Sequence, residues 1–169
     1  MRKKRSAYEA GFARRITATG AGRTHPLLQG RETAWDADAI HSDEVESLPD
    51  GAVLLATNPA TPAQAAKIKY GPGVFWGVRY HPELPLGEIA AALRRQAGSL
   101  VKQGLAQGPD DMEKVAGLIE QLGQDPTRQD LAQRLGVSAQ VAGPVLRKLE
   151  QHSFIRHLVL PMQAVRGRG

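Results

Sequence analysis

The sequence predicts an α/β fold: part of an open, mostly parallel sheet with covering helices, extended at the C-terminus by a helical tail. Short apolar runs between turn residues fill the front half, and residues 52–57 read as a strand covered on both faces. Behind Glu83 the apolar spacing changes to the helical one. A strand-rich front and a helix-rich back suggest a layered sheet with an appended helical part.

Taken in order, residues 11–19 mix apolar and basic positions as an edge strand would. Arg23-Thr24-His25-Pro26 reads as a loop, because proline pushes its predecessor out of the helical region. Residues 33–40 alternate partly with the strand period of two. Leu48-Pro49-Asp50-Gly51 is a turn that leads into 52–57. Pro59 and Pro62 punctuate the next loop, 64–70 reads as a strand, and Gly71-Pro72-Gly73 turns the chain into an apolar strand over 74–80. Trp35, Phe75 and Trp76 read as core. After Pro85 and Gly87, Ile89, Leu93, Ala97, Leu100 and Val101 recur at helical spacing. Pro109-Asp110-Asp111 starts another helix, its acidic residues favoured by the helix dipole, with Met112, Val115, Leu118, Ile119 and Leu122 as the apolar face. From Pro126 the chain is helical or short-helical.

Composition bounds the function. With 169 residues, 41% hydrophobic and 23% charged, the chain is globular, and no apolar run approaches the roughly 20 residues that cross a bilayer. It has no cysteine, which excludes disulfides and thiolate metal sites and agrees with a cytoplasmic protein. The first 23 residues hold seven lysines and arginines against one acidic residue, so the basic excess belongs to one end. Residues 1–10 are expected to form a solvated, disordered basic arm. The five histidines are scattered, and Gly71-Pro72-Gly73 lacks the helix and lysine of a phosphate loop. No metal or cofactor is expected.

The chemistry sits in Gly77-Val78-Arg79-Tyr80-His81-Pro82-Glu83, which closes the apolar strand over 74–80. An imidazole is a good base near neutral pH, and a carboxylate on its second nitrogen fixes the tautomer and stabilises the imidazolium. His81 and Glu83, two apart at a strand end, have the spacing for that pairing. Upstream lies His41-Ser42-Asp43-Glu44-Val45-Glu46-Ser47-Leu48-Pro49-Asp50-Gly51.

With Tyr8-Glu9-Ala10-Gly11, these segments resemble the C-terminal half of class I, triad-type glutamine amidotransferases, most of all the stand-alone, GMP-synthase-like members. That family carries His-x-Asp-x-Val-x-x-Leu-Pro-x-Gly and then Gly-Val-Gln-Tyr-His-Pro-Glu, behind a Gly-x-Cys-x-Gly nucleophile elbow. The resemblance implies a flavodoxin-like domain, with His81 as general base, Glu83 as its orienting carboxylate, and His41, Ser42 and Asp43 in a loop close to bound glutamine. Arg79 stands where the family carries glutamine, and residues 1–7 do not match it. The elbow and the nucleophilic cysteine are absent, and no serine stands in a Gly-x-Ser-x-Gly elbow.

The expectation is a truncated amidotransferase-like protein, a pseudoenzyme on its own. Residues 1–10 form the arm, 11–106 the amidotransferase-like part and 107–169 the helical tail. One alternative is half of a split enzyme, completed by a second polypeptide that supplies the nucleophile. The other is a nucleic-acid-binding module, since residues 127–138 resemble the first helix and turn of a helix-turn-helix. Gly143-Pro144 would fall inside its recognition helix, where proline costs about 3 kcal/mol.

Overall fold

The computed structural model describes residues 2–3, 9–41 and 43–166. The strands are β1 (Arg2–Lys3), β2 (Glu9–Ala18), β3 (Ala34–His41), β4 (Asp43–Glu44), β5 (Ala52–Asn58), β6 (Thr61–Tyr70) and β7 (Gly73–Val78). Five form one sheet in the order β3-β2-β5-β6-β7, and every pairing in it is antiparallel. This corrects the expected parallel, flavodoxin-like sheet. The physical reason lies in the connections. Only Pro59 and Ala60 separate β5 from β6, and only Gly71 and Pro72 separate β6 from β7, whereas a parallel crossover needs about a dozen residues. The apolar run over 52–57 does form a strand, but apolarity carries no direction.

Residues 11–19 are not at an edge: β2 pairs with β3 along its length and with β5 at Thr17 and Ala18. A bulge between Ala13 and Ile16 interrupts the β2–β3 ladder. Arg15 takes φ 51° there, and its N–H donates to Asp36 Oδ1 at 2.8 Å. The bulge adds twist. The sheet curls into a half-barrel, and the segment after β7 comes round to the far strand: His81 N–H donates to the Asp38 carbonyl of β3 at 2.7 Å.

Neighbouring residues of β2 feed two cores. Phe12 packs with α2 (Leu86–Lys102) and α3 (Pro109–Gln124) through Leu86, Ile89, Leu93, Met112, Ile119 and Leu122. Ala13 and Ile16 join Trp35, Leu55 and Tyr80 on the other face, capped by Leu27 and Leu28 of a 3-10 turn (Pro26–Leu28). Trp35 is core as expected and Trp76 is half-buried, but Phe75 lies on the outside, 61% exposed. Before that turn, α1 (Gly20–Arg23) begins on a Thr19 cap. A β-carbon on Gly22 would sit 1.9 Å from the Leu55 carbonyl oxygen, so only glycine lets α1 lie this close to β5.

The tail runs through α4 (Gln129–Leu135), α5 (Ala139–Ala142), α6 (Pro144–Arg147) and α7 (Leu149–Phe154), then a π-turn (Ile155–Val159) into α8 (Leu160–Arg166). Gly143 separates α5 from α6, so the residues a recognition helix would need form two four-residue pieces. Gln140, Arg147 and Glu150 are buried, Arg147 facing Asp38 of β3 and the other two bonded to Arg31. The tail packs rather than presenting a reading helix, which disfavours the nucleic-acid alternative. Among the described residues no helix is long and apolar enough to cross a membrane.

Candidate active site

His81 and Glu83 follow the last strand of the sheet, where the chain has left the β6–β7 ladder and Pro82 stiffens the link. Their side chains meet: His81 Nδ1 lies 2.8 Å from Glu83 Oε1. With the Nδ1 hydrogen donated to that carboxylate, the lone pair stays on Nε2, the tautomer a general base requires. Both side chains are part-exposed, at 33% and 49%.

The loop expected beside the substrate divides. Arg79 Nη2 donates to the Asp43 carbonyl, which draws this loop to the strand end two residues before His81. Arg79 is thus a loop anchor in this chain. His41 turns the other way. Its side chain, 9% exposed, points Nε2 at Glu9 Oε2, 3.2 Å away. Ser42 lies outside the described residues, as do Met1 and residues 4–8 of the arm; β1 pairs Lys3 with Asp43 and Arg2 with Glu44.

Glu9 is a site feature that chemistry-first reading missed. Its carboxylate is buried and accepts from Asn58 Nδ2 (2.6 Å), Thr61 Oγ1 (3.2 Å) and Gln64 Nε2 (3.0 Å). Those three residues come from the end of β5 and the start of β6, so a buried polar knot ties the entry of β2 to the β5–β6 hairpin. A buried carboxylate is tolerable only with such a shell of donors. The available signal was the match at Tyr8-Glu9-Ala10-Gly11, which names a segment and not a role.

A second set of buried charges lies behind His81. Tyr80, its neighbour, is 2% exposed, and its hydroxyl donates to Glu150 Oε1 at 2.6 Å. Glu150 also receives Arg31 Nε and Nη2, each at 2.6 Å. Asp38, fully buried, faces Arg147 Nε at 3.3 Å. Burial pushes the Asp38 carboxyl up to about 7, against the opposing pull of Arg147 and Arg31. Burial, then the Glu150 charge, holds the Tyr80 hydroxyl well above its ordinary range, so it remains a donor. Beside Pro82 opens a cleft of about 580 Å³, walled by Leu27, Trp76, Val78, Phe154 and Ile155. Among the described residues no three of His, Asp and Glu gather as a metal-ligand group.

Compared with known proteins, the chain matches no family model. It is 37% identical over 155 residues to a γ-glutamyl-L-1-hydroxyisopropylamide hydrolase of Pseudomonas sp., a match covering 90% of the chain and 52% of that protein. It is 36% identical over 59 residues to the glutamine-hydrolysing GMP synthase of Thermosipho africanus (strain TCF52B), covering 35% of the chain and 11% of the synthase. The chain therefore spans about half the length of the first relative and a small part of the second. A solved structure, that of SMU.1228c, aligns with 76% of the chain and 53% of its own at 25% identity and a TM-score of 0.49.

Proposed function

We propose that this chain supplies the general base and its orienting carboxylate to a triad-type hydrolase of the glutamine amidotransferase superfamily, a superfamily that the likenesses to the hydrolase and the synthase support. The substrate is glutamine or another γ-glutamyl amide. The observation that carries the reading is the 2.8 Å contact of His81 Nδ1 with Glu83 Oε1, part-exposed at a strand end. Residues 11–106 form the amidotransferase-like part and 107–169 its helical extension. His41, Ser42 and Asp43 form the loop beside the substrate.

The nucleophile comes from polypeptide outside this sequence, since the chain has no cysteine. A thiolate would attack the amide carbon, and the protonated His81 would pass its Nε2 proton to the departing nitrogen. The C–N bond then breaks and an acyl thioester remains. His81 next takes a proton from water, whose oxygen attacks the thioester, and glutamate and free thiol are released. Glu83 stays ionised and steadies the imidazolium. Loss of the nucleophile costs about 10⁶ in turnover in enzymes of this logic, so the chain alone is inactive.

The test is ammonia release from glutamine, and amine release from a γ-glutamyl amide. The purified chain is assayed alone and then co-expressed with the portion of the Pseudomonas relative that the match leaves uncovered. Silence alone, turnover at least 100-fold above either part in the complex, and loss of that turnover in His81→Asn are expected. Ammonia release by the chain alone, or a verified complex that stays silent, would overturn the proposal.

A further inference from the structure

We propose that Glu150, in the helical tail, is a positioning residue for His81. The curled sheet brings the segment after β7 round to the outer edge of β3, and His81 sits on that seam, its N–H on the Asp38 carbonyl. The tail reaches the seam at two points. Glu150 holds Tyr80, the residue before His81, through a 2.6 Å bond to its hydroxyl. Arg147 faces the carboxylate of Asp38, the residue that accepts the His81 N–H. So the side chain before His81 and the backbone partner of His81 itself are both tied to the same stretch of tail.

Arg31 makes the two ties one unit. It forks onto both Glu150 oxygens, and two further hydrogens go to Gln140 Oε1 (3.0 Å) and the Arg147 carbonyl (3.1 Å). Arg147 Nη1 in turn donates to the Val141 carbonyl at 3.1 Å. The Arg31 and Glu150 side chains are each 2% exposed, so water cannot replace either partner. Planar guanidinium-to-carboxylate forks fix direction as well as distance. A hydroxyl held by such a carboxylate restricts the Tyr80 ring, and with it the strand end from which His81 reaches Glu83. A base must stay within about 0.5 Å of its working position, and supporting groups of this kind keep it there. Nucleophile, base and carboxylate give the reaction; Glu150 sets where the base stands.

The inference rests on His81 being the base, and its test is spectroscopic, so it can fail independently of turnover. Side-chain ¹H–¹⁵N correlation spectra of the full chain would be compared for wild type, Tyr80→Phe, Glu150→Gln and a control core change, Ile119→Val. Tyr80→Phe removes one oxygen atom and keeps the fold. Loss or displacement of the His81 Nδ1–H signal that reports the Glu83 bond is expected in Tyr80→Phe and Glu150→Gln. His25 and His41 signals stay in place, and Ile119→Val moves none of them. Should Tyr80→Phe lower stability yet leave the His81 signals where they are, Glu150 serves packing alone and the proposal falls. An unfolded Glu150→Gln does not spare it, because Tyr80→Phe decides the matter.

Discussion

The Arg31–Glu150–Tyr80 cluster permits a quantitative comparison of two substitutions on one carboxylate. Tyr80→Phe deletes a hydrogen bond to a charged acceptor that keeps both bonds from Arg31. Such bonds contribute about 1.5–3 kcal/mol, and the lower end applies where the acceptor stays satisfied. Glu150→Gln keeps the shape but removes the charge, leaving the Arg31 guanidinium, 2% exposed, without a counter-ion. Breaking a buried pair this way costs about 3–5 kcal/mol.

Urea unfolding read by Trp fluorescence separates the two, because Trp35 is 1% exposed and reports the sheet core. With a slope of about 2 kcal/mol per molar, the midpoint drops by roughly 0.7 M in Tyr80→Phe and about 2 M in Glu150→Gln. Because the pair is shielded from solvent, 0.5 M NaCl leaves the difference unchanged. A Glu150→Gln midpoint within 0.5 M of wild type, or a gap that closes in salt, would refute the assignment of Glu150 as the principal counter-ion of Arg31.

Two further outcomes follow from the same packing. Asp38, its carboxyl raised to about 7 by burial, binds a proton in the folded chain at pH values where the unfolded chain has lost it. Its contribution to stability is therefore full below about pH 4 and is lost as pH rises through about 7, by up to roughly 4 kcal/mol. The thermal midpoint of wild type relative to Asp38→Asn should decline over that window, and a flat difference would mean that Asp38 is ionised throughout. Gly22→Ala places a β-carbon against a backbone oxygen that cannot swing away. It should cost about 2 kcal/mol and lower the melting temperature by roughly 4–8 °C; an unchanged melting curve would show that α1 and β5 can separate freely.

Elements were legible in the sequence where periodicity was strong. The strand expected over 52–57 is β5, both long helices stand where apolar spacing puts them, and the strand expected over 74–80 is β7, which stops at Val78. Sheet direction was misread although its signal was present, since Pro59-Ala60 and Gly71-Pro72 are hairpin connectors by length alone. Phe75 shows the limit of composition: Phe75 and its neighbour Val74 are both exposed, because the start of β7 is covered on neither face although the run is apolar. The His81–Glu83 pair was legible because its two members stand two residues apart in sequence. The Glu150 cluster was not, because its partners lie 70 and 119 residues away and no local pattern marks a long-range ion pair.

That contrast bears on why buried charge sits behind His81 at all. A closed barrel pairs every strand edge through the backbone, which leaves no freedom at any edge. Here the sheet stops short, and at the seam the His81 N–H bond to Asp38 contributes only about 0.5–1.5 kcal/mol net. An apolar filling behind Tyr80 could give equal or greater stability, since buried ion pairs are often matched by hydrophobic replacements. What it could not give is direction. Apolar contacts tolerate sliding, whereas a two-pronged guanidinium on a carboxylate that also holds a tyrosine hydroxyl allows one arrangement. If Arg31→Met with Glu150→Leu restores stability yet still displaces the His81 Nδ1–H signal, the cluster serves geometry rather than cohesion.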